Sequence, residues 1–133
     1  MIVLTAVLLN TAVELNAQLN KTPKEEDYYK IITLPTPEGM LLEVGGVATL
    51  QDGRIAVCTR RGDVWIVENG SMENGTAPRY TLFASGLHEA LGLVYKDDAL
   101  YVAQRGELTK LVDKTGDGKA DVYETIYAWP LSG

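Results

Sequence analysis

The segment Asp113-Lys114-Thr115-Gly116-Asp117-Gly118-Lys119-Ala120-Asp121-Val122-Tyr123-Glu124 carries the pattern with the clearest chemistry. Side-chain oxygens stand at Asp113, Thr115, Asp117, Asp121 and Glu124, and Gly118 sits where a cation-binding loop must turn sharply. Lys119 would contribute its backbone carbonyl. Hard oxygen donors on a tight turn suit calcium, and the absence of neighbouring His or Cys speaks against zinc or copper. Thr115 is neutral where many such loops carry Asp or Asn, which lowers the expected affinity. The flanks read as strands, so the loop is expected to be embedded in a hairpin, with Glu124 on the outgoing strand and short of the ion. The alternative is an Asp-Gly turn that binds nothing.

His88 is the one histidine of the chain, and its ordinary pKa makes it the residue suited to take a proton near neutral pH. The competing role is a link residue held by backbone hydrogen bonds. Arg60, Arg61 and Arg105 could hold anionic groups in bidentate fashion. Arg-Gly turns followed by an acid are equally ordinary hairpin tips.

These residues must be positioned by short strands. Runs rich in Val, Ile, Leu and Tyr alternate with turn residues at 47–50, 55–60, 64–68, 80–84, 93–96, 100–104, 108–112 and 122–129, and none has the length or period of a helix. An earlier strand is expected over Tyr28 to Leu34, closed by Pro35-Thr36-Pro37. Arg61-Gly62-Asp63-Val64 recurs as Arg105-Gly106-Glu107-Leu108, and Asp52-Gly53-Arg54-Ile55-Ala56-Val57 as Asp97-Asp98-Ala99-Leu100-Tyr101-Val102, with a one-residue difference in a turn. Four short strands repeating at about 40–50 residues are the signature of β-propeller blades; two unrelated hairpins with similar turns are the alternative. The expectation is an all-β chain, a partial β-propeller with about two four-stranded antiparallel blades plus a lead-in strand. Residues 1–17 would be a leader, 18–44 a lead-in, 45–90 one blade and 91–133 a second. Two blades cannot close a ring, so the chain reads as the amino-terminal part of a larger propeller, with free sheet edges that favour association. Antiparallel order puts Arg60, Arg61, Arg105 and the link Gly86-Leu87-His88-Glu89 at one end of the sheets. The Asp52-Gly53 turn and the Asp113 loop fall at the other.

A formal charge of -6 excludes nucleic acid as the main partner, since phosphate binding needs a Lys/Arg surplus on one face. Cys58 is the only cysteine, which rules out an intrachain disulfide and a C-x-x-C-H haem attachment. The apolar stretch Ile2 to Ala17, broken by Asn10, Glu14 and Asn16, is too short to span a bilayer and fits an export signal that lacks its basic start. An amphipathic helix packed on the protein is the alternative. On the signal reading the protein is periplasmic or secreted.

Leu42-Glu43-Val44-Gly45-Gly46, the run from Asp52 to Trp65, Ala84-Ser85-Gly86-Leu87-His88-Glu89 and the stretch from Leu108 to Asp121 together resemble the exported glucose/sorbosone-dehydrogenase-like propellers, related to the pyrroloquinoline-quinone (PQQ)-dependent sugar dehydrogenases. The resemblance covers residues 38–133. It implies a six-bladed quinoprotein-like propeller, a sugar or alcohol substrate, and a c-type cytochrome module as electron acceptor. It makes His88 the candidate base, and Arg61 and Arg105 the candidates to face the carboxylates of PQQ. The calcium that assists the quinone in such enzymes need not be the one expected at Asp113, which lies at the opposite end. A non-catalytic, calcium-braced propeller that binds a polysaccharide or protein partner is the alternative. A lactonase-type hydrolase would need carboxylates converging on the channel, and the sequence shows no such set.

Overall fold

The computed structural model describes residues 22–130 and divides the chain into two units, Met1–Ile32 and Thr33–Gly133. In the first, one turn of 3-10 helix spans Glu25–Asp27, and the Asp27 carboxylate accepts a hydrogen bond from the Lys24 N–H at 2.9 Å. The leader expected over residues 1–17 lies outside the described residues. No helix among the described residues is long and apolar enough to cross a membrane.

The second unit is all-β. Strands β1 (Val44–Thr49), β2 (Ile55–Thr59), β3 (Val64–Glu68) and β4 (Arg79–Ala84) form one antiparallel sheet in chain order. Strands β5 (Gly92–Lys96), β6 (Ala99–Ala103), β7 (Glu107–Val112) and β8 (Val122–Ala128) form a second. Each strand falls within a few residues of an apolar run in the sequence. The lead-in strand expected over Tyr28 to Leu34 does not form. Its composition suits a strand, but a strand needs a neighbour to take its N–H and C=O groups, and Ile31 is instead 96% exposed.

The local chemistry explains the hairpins. Lys96 pairs with Ala99 across a two-residue turn in which Asp97 and Asp98 both have positive φ. That conformation matches strand twist and is tolerated best by Gly, Asn and Asp. The Tyr95 hydroxyl donates to the Asp98 carboxylate at 2.8 Å and steadies the turn.

Cross-strand pairing sorts the side chains by face. In the first sheet, Ala48, Ala56, Cys58, Val64 and Ile66 point to one side. They form a continuous core with Leu93, Leu100, Val102 and Leu111 on one side of the second sheet. The first strands of the two sheets, β1 and β5, lie against each other, and this closeness has a steric cause at Gly45 and Gly46. A Cβ on Gly45 would overlap the Ala90 carbonyl oxygen, and one on Gly46 would stand 2.8 Å from the Leu93 nitrogen.

The registers also align the two sheets. Gly46 pairs with Cys58 and Cys58 with Val64, just as Gly92 pairs with Ala103 and Ala103 with Leu108. Both sheets then carry a bulge at the same step, Val64/Trp65 and Leu108/Thr109. The one-residue difference lies in the β2–β3 turn. It follows that the covered face of the first sheet corresponds to the uncovered face of the second: the two sheets are stacked head to tail, not back to back.

Candidate functional site

At one end of the sheets the link residues 85–91 meet both Arg-Gly turns. The Leu87 N–H donates to the Gly62 carbonyl at 3.0 Å, and the Arg105 N–H to the His88 carbonyl at 2.9 Å. Gly62 is buried with φ at +94°, and a Cβ there would run into the Leu87 carbonyl oxygen. Only glycine combines that dihedral with that approach. The structure therefore brings His88, Arg61 and Arg105 to the same end, with the link clamped between the two turns.

Their side chains are engaged in the fold or exposed to solvent. His88 is exposed, and its backbone N–H donates to the Gln104 side-chain oxygen. Arg60 and Arg61 approach Glu43 at 2.8 and 3.7 Å, and Arg105 approaches Glu89 at 3.5 Å. All three arginines are exposed, so each pair is worth at most about 1 kcal/mol. The pairs set the direction in which the guanidinium groups point. As arranged, these residues form no enclosed set of donors for the carboxylates of a quinone.

Beneath the link lies a polar network that inspection of single motifs missed. The Gln104 amide donates to Glu107 at 3.0 Å and to the Thr109 hydroxyl at 2.6 Å, and Thr125 donates to the other Glu107 oxygen at 2.9 Å. Hydrogen bonds from Thr109 and then Thr125 hold the Glu107 carboxyl below the usual carboxylate range. The acids Glu43 and Glu89 were legible in principle, since each stands three residues before the equivalent glycines Gly46 and Gly92.

At the opposite end, Asp113, Thr115, Asp117, Lys119 and Asp121 lie in the loop between β7 and β8, while Glu124 stands within β8 in register with Lys110. The carboxylates face the loop's own N–H groups. Asp113 accepts from Gly116 at 2.7 Å and Gly118 at 2.8 Å, and Asp117 from Lys119 at 2.9 Å. Asp121 accepts from the N–H groups of Lys114 and Thr115 at 2.8 and 2.9 Å, and from the Thr115 hydroxyl at 3.1 Å. Those bonds, the Thr115 N–H foremost, hold its carboxyl below the usual range. Among the described residues no three His, Cys, Asp or Glu side chains converge as metal ligands.

The loop and the start of β8 also join the two sheets. The Ala120 N–H donates to the Phe83 carbonyl at 2.8 Å, and the Ser85 N–H donates to the Tyr123 hydroxyl at 3.2 Å. A cavity of about 260 Å³ lies beside it, lined by Asp113, Asp117, Arg54, Glu68, Arg79 and Phe83, among others. Its Arg54 and Arg79 are tied to Asp52 and Glu68.

Cys58 is buried, and desolvation pushes its thiol above the ordinary value, the wrong direction for a nucleophile. Compared with family models, curated proteins and solved structures, the chain matches none of them.

Proposed function

We propose that the described residues form two successive blades of a β-propeller that serves as a binding scaffold, with the link end carrying His88, Arg61 and Arg105 as its ligand face. The observation that carries this is the head-to-tail stacking of two equivalent four-stranded sheets with their first strands adjacent, as radial repetition about an axis requires. The ligand class that follows from the sequence resemblance is a sugar or sugar polymer. The Asp113–Asp121 loop braces the two blades, and calcium would tighten it.

A second reading, a quinone-dependent sugar or alcohol dehydrogenase-like propeller, is favoured by the position of His88 directly ahead of β5 and beside both arginine turns. The ion pairs of Arg61 and Arg105 favour the scaffold.

Calorimetric titration of calcium and then of PQQ into the full chain separates the two. The scaffold reading expects calcium heat that is lost in Asp117→Ala, and no quinone heat. Quinone binding that disappears in both His88→Ala and Arg105→Ala would replace it with the dehydrogenase reading.

A further inference from the structure

One side chain joins the link that carries His88 to the polar network beneath it. The Gln104 amide oxygen accepts the His88 N–H, and both hydrogens on its nitrogen are used below, one on Glu107 at 3.0 Å and one on the Thr109 hydroxyl at 2.6 Å. Thr109 is buried, and its hydroxyl passes its own hydrogen on to Glu107. Thr125 donates to the second Glu107 oxygen at 2.9 Å.

These bonds fix which way the amide points. Glu107 is held ionised by the hydrogen bonds from Thr109 and then Thr125, and an ionised carboxylate only accepts. Facing it, Gln104 must turn its nitrogen down and its oxygen up. A flipped amide would set its oxygen against the Glu107 carboxylate and its N–H groups against the His88 N–H, leaving polar groups unpaired on both sides.

The turn itself does not need this arrangement. In the first sheet the equivalent turn closes with the same backbone bond, from the Thr59 N–H to the Asp63 carbonyl at 2.8 Å, where the second has Gln104 to Glu107 at 2.9 Å. There the Thr59 hydroxyl takes the Asp63 N–H at 3.2 Å, within its own turn. The longer side chain of Gln104 is an addition in the second turn, and what it adds is a hold on His88.

We propose that Gln104 and Glu107 are positioning residues of the ligand face: Glu107 sets the orientation of the Gln104 amide, and the amide holds the backbone from which His88 is presented. The inference rests on reading the link end as the ligand face, but the relay from Glu107 to His88 can be tested without a ligand.

Hydrogen exchange of the full chain, followed by NMR, reads it at single amides. Glu107→Met keeps the length of the side chain and removes both acceptors. The His88 amide is then expected to exchange roughly tenfold faster, the worth of one hydrogen bond, while the Leu87 amide, held by the Gly62 carbonyl, keeps its wild-type rate. Gln104→Glu sets two carboxylates against each other and is expected to free His88 likewise. Combining Gln104→Glu with Glu107→Gln restores an acceptor above and a donor below, and is expected to return the wild-type rate. A His88 amide unchanged in Glu107→Met, equal acceleration at Leu87 and His88, or a double variant no slower than Gln104→Glu overturns the relay. Calorimetry with a soluble glucan and with PQQ then tests the positioning role. Binding weakened in Gln104→Glu and recovered in the double variant supports it, and equal binding by all three chains overturns it. A wild-type chain that binds neither defeats the ligand-face reading and the positioning role with it, while exchange still decides the relay.

Discussion

Asp121 illustrates how much of the candidate chemistry is spent inside the chain. Its carboxylate takes three donors from the loop it closes, and its pKa is lowered by them, the Thr115 N–H foremost. Glu107 does the same at the other end through Thr109 and Thr125. A carboxyl whose folded pKa lies below its unfolded value adds stability that is complete above the unfolded value of about 4 and is lost as pH falls through the folded one. The thermal midpoint should therefore fall as the solution is acidified below that range, and Asp121→Asn should flatten the fall. Equal slopes for the variant and wild type would show that the loop bonds are not coupled to folding. The arginines follow the same rule of internal use. Arg61 and Arg105 were readable as anion holders from their type and spacing, but the placement of Glu43 and Glu89 beside them depends on how each link folds back over its turn.

Among the elements, the link and the Arg61-Gly62 turn are tightly constrained, because backbone meets backbone there with no room for a side chain. Gly62→Ala should cost at least about 2 kcal/mol, since it combines a left-handed dihedral with a clash against the Leu87 carbonyl. Urea unfolding measures this, and a change within experimental error would mean that the link can move aside. The loop between β7 and β8, with the start of β8, is a second clamp. Tyr123→Phe deletes the hydroxyl that receives the Ser85 N–H and should cost about 0.5–1.5 kcal/mol in the same assay. The eight strands were legible because each apolar run is bounded by Gly, Asp or Pro. The expected strand from Tyr28 to Leu34 had the same local signature and did not form, because pairing is a property of neighbours and composition cannot supply one.

At the scale of the whole molecule, the two sheets share one apolar core, with Leu111 fully buried within it. Leu111→Ala should cost about 2–5 kcal/mol. It should lower a single transition observed by both near-UV circular dichroism and, with Trp129→Phe leaving one tryptophan, the fluorescence of Trp65, which lies in the other sheet. Separate transitions would mean that the sheets fold independently. Alternation of apolar and turn residues determined by itself that this chain is all-β, and the recurrence of Arg-Gly-acid determined that its two halves are alike, because strand formation and turn geometry are local. Which face of each sheet is covered was decided only by the tertiary structure. A strand's pattern names its two faces without saying what lies across them, and the close approach at Gly45, Gly46 and Gly62 is made by segments remote in the chain. For the same reason, spacing could suggest a cation loop at Asp113, while only the folded chain showed that Ala120 of that loop reaches across to the Phe83 carbonyl of the other sheet.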